Sequence, residues 1–279
     1  MESEGDTHMS NIAQLFNLIR REGRSALITY LTVGYPDVAA TLELAPALER
    51  GGADIIELGV PFSDPLADGA TIQRASHHAL RQGVTLSLCL DIARQLRNKG
   101  MTCPIILMSY FNPLLSYGLD RLAAKAAEVG VDGFIVPDLP PEEAGDMLQS
   151  CRPRGLDLVF LLAPTSTDER IDKVSQASSG FIYCVSLTGV TGARAALPES
   201  LPSFIARVRR RTTLPLAVGF GISTPEQVAQ VTRYADAAIV GSALLDLIDR
   251  LPRQEMVAGV QTYVRSLAHA TRQRGISSA

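Results

Sequence analysis

Tryptophan is absent from the chain, and the residues that build disulfide frameworks and metal centres are scarce. The four cysteines, Cys89, Cys103, Cys151 and Cys184, show no CxxC spacing. Each lies in or beside an apolar segment, where a free cysteine behaves as a small hydrophobe. This argues against a disulfide scaffold and for a reducing compartment. The four histidines, His8, His77, His78 and His269, lack metal-ligand spacing, so no metal site is expected. No apolar run reaches spanning length, and no signal-peptide pattern opens the chain. The formal net charge is only −3 and no long basic run occurs. Nucleic-acid and anionic-membrane partners are therefore not expected. The short cluster Arg207, Arg209, Arg210 and Arg211 reads as the solvated end of a helix. A soluble, cytoplasmic protein is the expectation; the missing tryptophan by itself excludes nothing.

What is present is a repeat. At 279 residues and 46% hydrophobic, the chain can bury a large core. Apolar runs at 26–33, 54–60, 104–110, 132–136, 156–162, 180–186, 214–219 and 236–240 read as eight strands. Helical stretches alternate with them: 38–50, 70–83, 84–99, 119–129, 140–151, 167–177, 199–211, 225–234, 243–249 and 255–273. Continuous apolar strands with helices between them imply a parallel sheet covered by helices. Eight such units close a single-domain (β/α)8 TIM barrel. An open doubly wound sheet is the competitor, but no glycine-rich dinucleotide fingerprint follows the first strand. An extra amphipathic helix, 11–21, precedes the barrel with Ile12, Leu15, Phe16 and Ile19 on one face, and could cap its bottom. Residues 1–10 are polar and read as a disordered extension, and 11–279 as one barrel domain without linker or composition shift.

The decisive stretch is Ile55–Gly69, IIELGVPFSDPLADG. Strand alternation points Ile55, Glu57 and Gly59 one way, and Ile56, Leu58 and Val60 the other. Glu57 is thus a carboxylate within an apolar strand, costly unless paired or used. Burial would raise its pKa, which suits a group that gives and takes a proton. On the strand alone, a salt-bridged structural carboxylate is an equal reading. Asp64 and Asp68 follow in a loop where aspartates often only form turns. In a barrel, chemistry sits at the carboxyl ends of strands, with phosphate commonly bound after strands seven and eight. Gly219-Phe220-Gly221 and the helix start Thr224-Pro225-Glu226-Gln227 follow the seventh strand; Gly241-Ser242 follows the eighth. Glycines and helix N-termini favour an anion there, although one GxG alone is often only a tight turn. Thr191, between Gly189 and Gly192 in the long loop 187–197, could ride on a closing lid or on a plain flexible loop. Tyr183, on the sixth strand, reads by default as a core aromatic.

These residues carry a resemblance. Glu57-Leu58-Gly59-Val60-Pro61-Phe62-Ser63-Asp64-Pro65-Leu66-Ala67-Asp68-Gly69 resembles the signature of the tryptophan synthase α chain family. Flanking it in the same order are Thr32–Asp37 (TVGYPD), Met108–Pro113 (MSYFNP), Pro137–Pro140 (PDLP), Leu162–Thr165 (LAPT), Gly189–Gly192 (GVTG), Gly219–Ser223 (GFGIS) and Gly241-Ser242. The resemblance covers nearly the whole chain from about Ile12 onward. It implies a (β/α)8 barrel that splits indole-3-glycerol phosphate into indole and glyceraldehyde 3-phosphate. It implies an α2β2 complex that passes indole to a pyridoxal-phosphate β subunit, with no cofactor on this chain itself. By resemblance, Glu57 is the catalytic general acid/base and Asp68 the second catalytic carboxylate. Tyr30, Met108, Ile135, Tyr183 and Thr191 match the substrate pocket and closing loop. Gly192, Gly219, Phe220, Gly221, Gly241 and Ser242 match the phosphate site.

Three other readings are distinguishable. Another barrel enzyme acting on a triose or sugar phosphate, an isomerase or a Schiff-base aldolase, is one; the aldolase needs a lysine at a strand end, whereas Lys99, Lys125 and Lys173 all fall in helical stretches. A non-catalytic, phosphate-sensing barrel has no use for two carboxylates. A stand-alone indole-3-glycerol phosphate lyase would use the same residues, so only activity with and without a β chain separates it.

Overall fold

The computed structural model describes residues 9–186, 197–219 and 221–272. In chain order the elements are α1 (Asn11–Arg21), β1 (Ala26–Thr32), α2 (Val38–Gly51), β2 (Ile55–Gly59), α3 (Ala70–Arg81), α4 (Leu86–Asn98) and β3 (Ile105–Met108). Next come α5 (Phe111–Tyr117), α6 (Leu119–Glu128), β4 (Gly133–Ile135), α7 (Gly145–Cys151), β5 (Asp157–Val159), β6 (Leu161–Leu162) and α8 (Asp168–Ala177). The chain continues through β7 (Ile182–Val185), α9 (Leu201–Arg209), β8 (Leu216–Gly219), α10 (Pro225–Val231), β9 (Ala237–Val240), α11 (Ser242–Arg250) and α12 (Arg253–Ala270). Among the described residues, no helix is long and apolar enough to cross a membrane.

All strand pairs are parallel, in the order β5-β4-β3-β2-β1-β9-β8-β7-β6. β5 and β6 are consecutive parts of one stave, broken only at Phe160. The first pairs with β4 and the second with β7, so the fifth stave joins the two ends of the sheet. The eight-stave barrel expected from the sequence is thus present, with its fifth stave in two pieces. Phe111–Tyr117 forms a helix where the sequence pattern predicts none. The stretch 140–151 is a short 3₁₀ turn, Pro141–Glu143, followed by α7 rather than one helix.

Strand alternation sorts the core into two shells. Ala26, Ile28, Ile55, Ile106, Ile135, Val159, Phe181, Ala217, Ala237 and Ile239 fill the barrel interior. Their sequence neighbours, such as Leu27, Leu31, Ile56, Leu58 and Leu107, pack outward against the helices. α1 stops one mouth: Ile12, Phe16 and Ile19 join the interior shell, and the Phe16 ring lies 5.9 Å from that of Phe181. Ser10 caps α1, accepting from the Ala13 amide at 3.3 Å, and donates to Asp157 at 2.6 Å.

That mouth is held by paired carboxylates. Asp54 accepts from the Leu27 amide at 2.8 Å, Asp132 from Ile105 at 2.7 Å and Asp236 from Leu216 at 2.9 Å. Each thereby ties the start of one strand to its neighbour. Each also meets an arginine: Arg24, Arg97 and Arg209 respectively. The opposite mouth, at the carboxyl ends of the strands, is left for chemistry.

Candidate active site

Glu57 sits mid-strand on β2, in register with Tyr30 of β1 and Ile106 of β3. Its side chain points inward, above Ile55. It is 1% exposed, and its Oε1 meets no hydrogen-bond partner. Among the described residues no ion pair reaches it, in contrast to Asp54, Asp132 and Asp236 at the other mouth. Burial alone pushes its pKa up to about 8. The salt-bridged structural reading therefore lacks its partner, and a neutral acid at physiological pH remains.

The loop 60–69 folds back over the same mouth. Asp68 is 7% exposed, whereas Asp64 is exposed and its carboxylate takes a local hydrogen bond from Ser63. The turn-forming reading fits Asp64 and fails for Asp68. Burial pushes the Asp68 carboxyl up to about 6, with the hydroxyl of Tyr110 pulling it back. Sequence patterning does not single out Tyr110 as a site residue. Its hydroxyl accepts from the Ala67 amide at 2.8 Å and its ring stacks on Phe62 at 5.1 Å. It lies at the carboxyl end of the third predicted strand, which is the signal that could have found it.

One cleft of about 450 Å³ gathers Glu57 and Asp68 with Tyr30, Met108, Tyr183, Gly221, Gly241 and Ser242. Ile72, Ile222 and Ile239 add apolar wall; Ile222 falls within the Gly219–Ser223 motif, and Ile239 alternates inward with Ala237 on β9. Ile135 is wholly buried in the interior shell and does not line the cleft. Thr191, Gly192 and Phe220 lie outside the described residues.

Two glycines make room for phenol rings. A Cβ at Gly59 would overlap the Tyr30 hydroxyl, and one at Gly219 would overlap that of Tyr183. The hydroxyl end of each phenol lies against bare backbone. Thr32 donates to the Tyr30 hydroxyl at 3.2 Å, fixing that ring further. Gly59→Ala should therefore destabilise the fold by about 1–3 kcal/mol, the usual cost of overpacking. It should also raise KM for the substrate as Tyr30 is displaced. Urea unfolding and steady-state kinetics check this; wild-type stability and KM together would reject it.

The glycine-lined part of the cleft favours an anion. Gly221 adopts φ +82°, a left-handed backbone that glycine allows. The start of α10 is already satisfied by its capping box: Thr224 accepts from the Gln227 amide, and the Gln227 side chain accepts from the Ser223 and Thr224 amides. Tyr263 donates to the Ser223 carbonyl at 2.7 Å and fixes this loop. By contrast, α11 begins at Ser242 with Gly241 as N-cap and no side-chain cap. Its opening amides and dipole make the better anion site of the two helix starts.

The family model described as "Tryptophan synthase alpha chain" matches residues 16–272. The tryptophan synthase alpha chain of Roseiflexus sp. (strain RS-1) is 57% identical over 259 residues, covering 93% of this chain and 99% of that one. That of Chloroflexus aurantiacus is 53% identical over 262 residues, covering 94% and 98%. Among solved structures, Mycobacterium tuberculosis tryptophan synthase superposes with a TM-score of 0.88 at 40% identity, over 95% of this chain and 99% of that one. Tryptophan synthase subunit alpha from Legionella pneumophila str. Paris gives 0.88 at 36%, again over 95% and 99%.

Proposed function

Since the chain belongs to the tryptophan synthase alpha chain family, and so is a lyase that cleaves indole-3-glycerol phosphate, we propose that Glu57 and Asp68 carry the cleavage. The observation that supports this most is one cleft lined by two buried carboxylates from different elements, with an anion-favouring helix start in its wall. Indole C3 must gain a proton before the bond to the glycerol carbon can break. Neutral Glu57 supplies it and produces a cationic indolenine. Ionised Asp68 accepts from the ring N–H and stabilises that charge. Glu57, now a carboxylate, takes the proton from the hydroxyl of the glycerol carbon. The C3–carbon bond breaks, its electrons restore the aromatic ring, and the aldehyde of glyceraldehyde 3-phosphate forms. Glu57 ends as it began, so the proton count balances.

Tyr30, Met108 and Tyr183 wall the indole, with Ile135 beneath them. Gly221, Gly241 and Ser242 hold the phosphate, joined by Gly219, Phe220 and Gly192; Thr191 belongs to the closing loop. No metal or organic cofactor is needed on this chain. As an alpha chain it pairs with a beta chain. The α2β2 stoichiometry, pyridoxal phosphate on the partner and a cytoplasmic location complete the proposal. Two carboxylates suited to proton transfer favour this reading over a phosphate sensor.

The test is the pH profile of kcat/KM for indole release, measured with and without a β chain. Glu57 must be neutral, so activity is lost as pH rises through about 8. Asp68 must be ionised, so activity is lost as pH falls through about 6. A bell between those limits is expected for the pair, in the free enzyme. A profile flat across that range contradicts the assignment.

A further inference from the structure

Asp68 belongs to a loop with few anchors of its own. Ser63, Asp64, Leu66 and Ala67 are exposed, and Leu66 is 93% exposed at the crown. A carboxylate carried on such a loop needs fixed backbone to stay in the cleft. Tyr110 supplies one fixing point, from the end of β3. A second comes from the other side. Gln73, half-buried on the first turn of α3, donates its side-chain amide to the Asp68 carbonyl at 2.9 Å and to the Pro65 carbonyl at 3.4 Å. The Asp68 amide itself donates to the Pro65 carbonyl at 3.0 Å. One amide group therefore closes the turn 65–68 onto the helix that follows it.

We propose that Gln73 is a positioning residue for the cleavage: it clamps the main chain on both sides of the turn, so that the Asp68 carboxylate stays in the cleft. This rests on reading Asp68 as the second catalytic carboxylate. Gln73 does not line the cleft and acts only through Asp68. The effect should appear in kcat rather than KM, because the cleft walls and the anion site do not depend on this turn.

Gln73→Met keeps the length and volume and removes the donor. Its kcat should fall about 10- to 100-fold, the scale of a misplaced catalytic group, with KM changed by less than about 2-fold. Gln73→Lys, which restores an N–H donor at similar reach, should recover most of kcat. A purely structural role would lower the melting temperature of Gln73→Met and leave its kcat intact. Wild-type kcat in folded Gln73→Met, or an equal loss in Gln73→Lys, overturns the inference. If Gln73→Met does not fold, Gln73→Glu reads the same contact by facing both carbonyls with an acceptor: the same kcat loss supports the clamp and wild-type kcat overturns it. Asp68→Asn separates the two levels. If it retains turnover, the reading of Asp68 fails; if it loses turnover while Gln73→Met does not, only the clamp fails.

Discussion

Glu57→Gln should fold, melt at a higher temperature than the wild type, and release indole about 10²- to 10⁴-fold more slowly. The amide matches the carboxyl in shape but has no acidic proton to give to C3. Stability moves the other way because the carboxyl is buried and its Oε1 lacks a hydrogen-bond partner. In the unfolded chain it titrates near about 4.3, and in the fold near about 8. Between those values the unfolded state is ionised while the folded state stays neutral, so stability falls as pH rises across that window. Glutamine has no such dependence. The gap in melting temperature should widen from about pH 4.3 to about pH 8 and level off above it. Thermal scans over a pH series, beside a turnover assay, check both halves. Near-normal turnover in the folded variant would reject the proton-donor role. A wild-type melting profile would mean that the carboxyl is not held neutral. The cost of keeping this acid dry is one that function, not folding, explains.

Much of this site is legible in the order of the amino acids. Alternation along Ile55–Gly59 sets the direction of Glu57, because one residue of slip would turn every side chain on the strand to the other face. The carboxyl-end rule for barrels picks out Asp68, Gly221, Gly241 and Ser242. Periodicity stops at loops, however, and there the pattern blurs. Asp64 and Asp68 are the same residue type in one turn-rich stretch; tertiary contacts of 67–68 with Tyr110 and Gln73 accompany the burial of one, while the other stays in solvent. Gly219 shows the same limit. Its lack of a side chain is visible in the sequence, but the reason, the Tyr183 ring lying over it, depends on how β7 and β8 pair. The break at Phe160 is hidden because 156–162 is one apolar run. It falls where the fifth stave passes from pairing with β4 to pairing with β7, a property of closure rather than of local sequence. The aspartates at 54, 132 and 236 each precede a strand, yet their arginine partners come from elsewhere in the chain, so composition does not tell their structural role from catalysis.

Asp68→Asn should lower kcat by about 10²- to 10³-fold, the loss typical of removing one preorganised electrostatic group. KM should change little, because the phosphate and the apolar walls bind substrate without it. An asparagine oxygen can still accept from the indole N–H, so ring orientation survives; what disappears is the negative charge opposite the forming cation. The acid limb of the pH profile reports the same group. In the wild type it lies near about 6, where burial has pushed this carboxyl. In Asp68→Asn nothing is left to ionise there, so activity, though low, should persist unchanged below that pH while the limb near about 8 from Glu57 remains. Combining Asp68→Asn with Glu57→Gln should cost far less than the product of the single losses, since charge stabilisation matters only once the proton has been delivered. Single- and double-variant kinetics across pH measure all of this. A retained acid limb in Asp68→Asn would move that titration to another group, and multiplicative losses would mean that the two carboxyls serve separate steps.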